Sequence, residues 1–192
     1  MPTILSHVAV PLAIKLGVRK QEISLRLLIV AIVCAVLPDA DVVAFALGIP
    51  YESQWGHRGF THSIGFALFM ASAAVFFATV LQSRKRVIFP VILMSTFSHP
   101  LLDAATNGGL GCALLWPLSE TRYFLPWTPI KVSPIGIDAF LTGRGLAVLE
   151  SELVWVWLPS IVLALTVFVF EAVLLALLLA YTERQRATKQ ER

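Results

Sequence analysis

Charge is scarce in this chain. Asp, Glu, Lys and Arg make up 14% of its 192 residues, against about 25% in a soluble globular domain. With 57% hydrophobic residues, the composition excludes an ordinary soluble fold. Cysteine is nearly missing too: Cys34 and Cys112 form no C-x-x-C pair, which argues against a zinc–thiolate site, and Cys34, mid-helix, reads as inert packing. The basic surplus is only +3 and is dispersed, too little to point to nucleic acid. The N-terminus lacks a small-residue cleavage site, and its first basic residue, Lys15, follows the first apolar run; insertion is expected to rely on uncleaved spans. HExxH, GxSxG and Walker sequences do not occur, so none of the familiar catalytic signatures carries the function.

What is present is a series of apolar runs separated by short polar links, in a chain long enough for several spans of about 20 residues each. Residues 3–18 and 23–38 are short runs that read as a helical hairpin around a basic loop, 15–26. The first of them could instead lie in the interface as an amphipathic segment. Pro11 would kink it, and the stretch from Val42 to Ile49 either extends the second helix or folds back. Residues 62–82 and 87–106 read as full spans joined at Arg84-Lys85-Arg86, and residues 153–181 as the final span. Residues 107–150 are rich in Gly, Pro and Trp and are expected to form an irregular or re-entrant cap. Their apolar and aromatic content (Leu114, Leu115, Trp116, Phe124, Trp127) argues against disorder. The expected architecture is all-α: a polytopic membrane bundle of four to five spans over residues 1–182, with a basic cytoplasmic tail at 183–192.

The basic loop, the Arg84–Arg86 turn and the tail share one side of such a bundle, the cytoplasmic one by the distribution of Lys and Arg. Every histidine and aspartate then falls at the other end: His7, Asp39, Asp41, His57, His62, His99, Asp103 and Asp138. Two of the four histidines sit within His57-Arg58-Gly59-Phe60-Thr61-His62-Ser63. His99 and Asp103, four apart, share a helical face. His57 and His62, five apart, would diverge on a continuous helix and can both turn inward only if Gly59 breaks the backbone. Pro38 and Asp39 are expected to end a helix and free Asp39 and Asp41 as a loop pair.

Each group also has a plainer reading. Asp39, Asp41, Ser63 or Ser98 could cap helices, Asp138 could cap or turn, Arg58 could be an interfacial charge, and the tryptophans a membrane belt. Ionisable groups near membrane depth nevertheless need partners. Four imidazoles with several carboxylates at one end suit a divalent ion of the zinc, manganese or iron type.

The quoted pieces carry a resemblance. His7, Leu37-Pro38-Asp39-Ala40-Asp41, the segment Gly56 to Ser63, Ser98-His99-Pro100-Leu101-Leu102-Asp103, Leu114-Leu115-Trp116-Pro117, Arg122-Tyr123 and Val132-Ser133-Pro134 resemble the bacterial inner-membrane metal-dependent hydrolases, a group that includes a LexA-regulated, DNA-damage-induced membrane protein. The His-x-x-x-Asp element is also similar to one in zinc-dependent phospholipase C. The resemblance implies a phospholipase-like or other hydrolase in the inner membrane.

On the combined reading, His7, Asp39, His62, His99 and Asp103 hold one or two divalent ions, zinc first. Asp41 is a candidate general base, Arg58 a phosphate clamp, and His57 a further catalytic group. The expected substrate is amphiphilic and phospholipid-like, met at the non-cytoplasmic face of the bilayer. A transporter using the same His/Asp groups is the alternative; the apolar mid-span residues, with Glu171 the exception, speak against it.

Overall fold

The computed structural model describes residues 1–18, 22–134 and 137–190. Regular structure among them is helical, apart from two isolated β-bridges, Thr106 to Ile130 and Cys112 to Tyr123. In chain order the α-helices are α1 (Ile4–Gly17), α2 (Leu25–Val36), α3 (Val43–Ala46), α4 (Ile64–Phe76), α5 (Ala78–Leu81), α6 (Lys85–Ala104), α7 (Ile137–Phe140), α8 (Gly143–Glu152) and α9 (Leu158–Gln190).

Three stretches are long and apolar enough to cross a bilayer: Leu25–Ala46, Lys85–Ala104 and Gly143–Thr182. The shorter apolar helices α1 and α4 complete the bundle. Helix α6 is central, packing on α4, α2 and α1, while α1 also meets α2 and α9. Only 6% of the apolar window in Gly143–Thr182 is buried inside the bundle, so Leu163, Phe168 and Phe170 present an apolar surface of the kind lipid covers.

Local chemistry sets the helix ends. Ser24 caps α2 by accepting from the Leu27 amide at 3.0 Å, and Ser63 caps α4 by accepting from Phe66 at 3.0 Å. Each such cap contributes about 1 kcal/mol. Ser98 does not cap; it lies inside α6 and donates to the Ser95 carbonyl. Pro38 does not release a loop. From Leu37 to Val42 the chain tightens into a 3-10 helix and runs on into α3, so Leu25–Ala46 is one helical unit and Val42 to Ile49 begins as its extension.

The expected span 62–82 is interrupted: α4 ends at Phe76, and α5 is a separate short turn. The final helical stretch starts earlier than the expected 153. It begins at Gly143, where Thr142 caps α8, and passes through a π-helical turn, Leu153–Trp157, into α9. The irregular cap therefore covers a shorter segment than 107–150. Helix α6 runs through both Pro90 and Pro100 without a break.

The core has two parts. A large apolar cluster of Ile23, Leu27, Ala31, Cys34, Ala71, Ile88 and Ile92 joins α2, α4 and α6 in the half nearer Arg26 and Arg84–Arg86. A smaller one, Ala9, Ala105, Ile130 and Val156, sits towards the other end. Arg19 and Lys20, expected in the first basic loop, and residues 191–192 of the expected tail lie outside the described residues.

Candidate metal centre

Helices α1 and α4 begin, and α2 and α6 end, at one end of the bundle. That alternation brings His7 of α1, the turn after α2, the segment before α4 and the last turn of α6 together.

On α6 the four-residue spacing places His99 and Asp103 on the same inward face, both fully buried. Asp39 and Asp41 owe their placement to the 3-10 turn. At three residues per turn, positions two apart are separated by about 120° around the axis, against about 160° in an α-helix. The two carboxylates thus flank the His62 ring, one near each nitrogen: Asp39 Oδ1 is 3.8 Å from Nε2, and Asp41 Oδ2 is 3.1 Å from Nδ1.

His57 and His62 are brought inward by a backbone reversal. Arg58 has φ +62°, an uncommon conformation for a non-glycine residue that marks a constrained site. Gly59 passes so close to the Gln54 carbonyl that a Cβ there would lie 2.1 Å from its oxygen. Only glycine fits that approach.

Asp39, His62, His99 and Asp103 each offer one ligand atom, all within 4.8 Å of one another, and the four are positioned to hold a metal ion. The tautomers follow from the outer contacts. His99 Nδ1 lies 2.7 Å from the Ala35 carbonyl, which can only accept, so Nδ1 carries the proton and Nε2 is a bare lone pair. His62 Nδ1 faces the Asp41 carboxylate, which likewise assigns it the proton. The two Nε2 atoms then face each other at 3.1 Å. His99 Nε2 is 3.2 Å from Asp39 Oδ1 and His62 Nε2 is 3.3 Å from Asp103 Oδ2.

Four acceptors converge on one point. A proton on His62 Nε2 would answer one of these contacts and leave the others. Asp39 Oδ1 and both Asp103 oxygens are buried without hydrogen bonds, and buried polar atoms left unpaired cost about 1–3 kcal/mol each, more when charged. An ion bonded at about 2.1 Å to two donors keeps them within about 4.2 Å, and the three separations just given fall inside that limit. The donor set therefore fits a divalent cation.

His7 is beside this group, not within it. Its ring stacks on His99 with centroids 3.7 Å apart, and its Nε2 is 3.9 Å from Asp39 Oδ2 and 3.8 Å from Asp103 Oδ1. Asp41, His57 and His62 form a second group of potential ligands. Asp41 is not the spare carboxylate its position in the sequence suggested. It accepts from the Thr61 hydroxyl at 2.6 Å and the Arg58 amide at 3.1 Å, and pairs with His57 Nδ1 and His62 Nδ1.

Arg58 departs further from expectation. Its guanidinium is buried, with Nε 3.0 Å from Asp103 Oδ2, Nη1 donating to the Gly108 carbonyl and Nη2 to Thr106 Oγ1. Gly109, at φ +88°, leaves the room: a Cβ there would be 2.8 Å from Nη1. With its fork engaged inside the protein, Arg58 has no free face for a substrate phosphate. Asp138 is exposed in the first turn of α7 and is in neither group of potential ligands.

The irregular segment after α6 covers this end. Arg122 donates to the carbonyls of His57, Tyr51 and Ser53, and the Ala113 amide donates to the Arg58 carbonyl. Burial, with the Asp103 charge adding to it, pushes the Cys112 thiol up, and Cys112 is in neither group of potential ligands. Trp55, Phe60 and Trp116 form an aromatic cluster at the rim, and Trp127 packs edge-on against Trp155. An apolar cleft of about 540 Å³, lined by Leu37, Leu47, Trp55, Phe60 and Phe66, reaches Asp41.

Glu152, Thr61, Thr106 and Arg122 take roles that the sequence did not reveal, although Thr61 and Arg122 lie within the quoted pieces that carry the resemblance. Glu152 is buried and accepts from the Thr3 amide and from the Thr3 hydroxyl at 2.6 Å, fixing the start of α1 and with it His7. A carboxylate at the edge of a long apolar run, with Glu150 two residues before it, was the signal for it. For the other three the decisive partners are distant in sequence: Asp41 for Thr61, Arg58 for Thr106, and Tyr51, Ser53 and His57 for Arg122.

These features define a helical membrane protein with a buried His/Asp centre at one end of its bundle. The chain belongs to the YdjM inner membrane protein family, which it matches over residues 1–182. It is 45% identical over 165 residues to the inner membrane protein YbcI of Escherichia coli (strain K12), covering 85% of this chain and 95% of that protein. No solved structure matches it.

Proposed function

We propose that the chain is a membrane-bound metal-dependent hydrolase acting on a phosphoester or ester of an amphiphilic, phospholipid-like substrate. The observation that carries this reading is the convergence of His62 Nε2, His99 Nε2, Asp39 Oδ1 and Asp103 Oδ2, all acceptors, in a buried pocket. A divalent ion held there, zinc by the preference of imidazole and carboxylate donors, supplies Lewis acidity and acidifies water.

The chain's own residues do the rest. Asp41 holds His62 in the tautomer that turns Nε2 inward, while Thr61, His57 and the Arg58 amide fix Asp41. Arg58 offsets the charge of Asp103 and binds the cap through Gly108 and Thr106. The apolar cleft beside Asp41 suits an acyl chain whose headgroup end turns towards the centre. Lys15, Arg26 and Arg84–Arg86 lie at the opposite end of the bundle, which supports a multi-pass topology with the site on the non-cytoplasmic side. Between the two ends, Leu27, Ala31, Ile88 and Ile92 fill the interior, which favours one-sided access and a hydrolase over a transporter.

The test is hydrolysis of phospholipid vesicles by detergent-purified, zinc-loaded protein. Turnover is expected from the wild type, abolished by a chelator and lost in His62→Ala, His99→Ala and Asp103→Ala. Turnover that persists in all three variants would sink the assignment.

A further inference from the structure

The cluster has a second side that the four-ligand group does not use. Asp39 and Asp103 each turn one oxygen, Oδ1 and Oδ2 respectively, towards His62 and His99. Their other oxygens face His7: Asp39 Oδ2 at 3.9 Å and Asp103 Oδ1 at 3.8 Å from its Nε2. His7 is fully buried in α1, and neither of its ring nitrogens has a hydrogen-bond partner. Asp103 Oδ1 is likewise buried without one. An imidazole that only filled space would leave these atoms unsatisfied, a cost folding tolerates rarely without a ligand.

We infer that the centre is binuclear: Asp39 and Asp103 bridge two divalent ions, one held by His62 and His99, the other by His7. This rests on the metal-dependent reading above and deepens it.

Two observations support it. Each separation on the His7 side falls within the roughly 4.2 Å that two bonds of about 2.1 Å allow. The His7 and His99 rings are stacked with centroids 3.7 Å apart and planes 16° from parallel, and their Nε2 atoms address different oxygens of the same Asp39 carboxylate. Ions lying in the planes of two such rings would be separated by about the ring spacing, and two-metal hydrolytic sites have ions about 3.5–4 Å apart.

With two divalent ions bound, their charge would exceed that of Asp39, Asp41 and Asp103 less Arg58 and the more distant Arg122. A net positive site would attract the phosphate of an anionic ester, a task for which the engaged Arg58 fork is not free. The substrate class that follows is an anionic phosphoester, with the paired ions flanking its phosphoryl oxygens.

The test uses the full chain in detergent, stripped by chelator and reloaded with zinc for elemental analysis or with Mn(II) for electron paramagnetic resonance. Two ions per chain and an exchange-coupled Mn(II) pair are expected in the wild type. His7→Ala and His7→Asn, both checked for an unchanged elution profile, should fall to one ion and an uncoupled Mn(II) signal. One uncoupled ion in the wild type would overturn the inference and leave the mononuclear reading standing. Two uncoupled ions, or a coupled pair that survives both substitutions, would also overturn it. Protein that takes up neither metal would bring down the metal-dependent reading itself.

Discussion

In the half of the bundle near Arg84–Arg86, Leu27, Ala31, Ile88 and Ile92 fill the space between α2 and α6. At the other end the same pair of helices, with α1, buries His7, His99 and Asp103 just as completely. The apolar half is held by volume and area, where neighbouring hydrophobic residues of similar size are tolerated. The polar end is held by pairing, where each atom needs a particular partner. The two halves should therefore respond differently to substitution and to metal.

The largest effect is expected at Arg58. Arg58→Met keeps much of the side-chain bulk but removes the cation beside Asp103 and the anchors to Gly108 and Thr106. Breaking a buried charge pair costs about 3–5 kcal/mol, so the metal-stripped variant should lose that much in a denaturation experiment. Added zinc should recover part of it by binding the folded state. An unchanged midpoint would mean that the polar end does not depend on its pairs.

Asp41→Asn should act more narrowly. It retains the shape but loses the charge that sets the His62 tautomer, and losing such an outer partner costs about 10–100-fold in metal affinity. Calorimetric titration with zinc checks this, and the metal-free unfolding midpoint should fall by less than in Arg58→Met. Ile92→Val is the control from the apolar half. Removing one buried methyl group should cost about 0.5–1.5 kcal/mol and leave zinc affinity unaltered. A shift in affinity there would show that the halves are coupled.

The same division governs what could be read in the sequence. Apolar runs reveal helices because burial in lipid or core depends on residue type, and α2, α6 and the last span follow directly from them. His99 and Asp103 were legible because a spacing of four fixes a helical face. The location of all the imidazoles at one end followed from the positions of Lys and Arg.

The roles were harder. Whether Asp41 is free or engaged depends on Thr61, His57 and the Arg58 amide, which reach it only after the chain reverses at Arg58 and Gly59. Arg58 reads as a surface cation until Thr106 and Gly108, about fifty residues later, fold over it. The 3-10 turn that sets Asp39 and Asp41 around His62 has no periodic signature over so few residues. The early start of the final helical stretch, at Gly143, was hidden because α8 is polar on part of its surface and opens with two glycines among its first three residues.

X-ray absorption at the zinc edge, on zinc-loaded protein beside His99→Ala, tests most directly whether this end of the bundle is a metal centre. The account predicts a shell of nitrogen and oxygen only, at about 2.0–2.2 Å, with imidazole scattering that weakens in the variant. A shell containing sulfur at about 2.3 Å, or a spectrum that His99→Ala leaves unchanged, would contradict it.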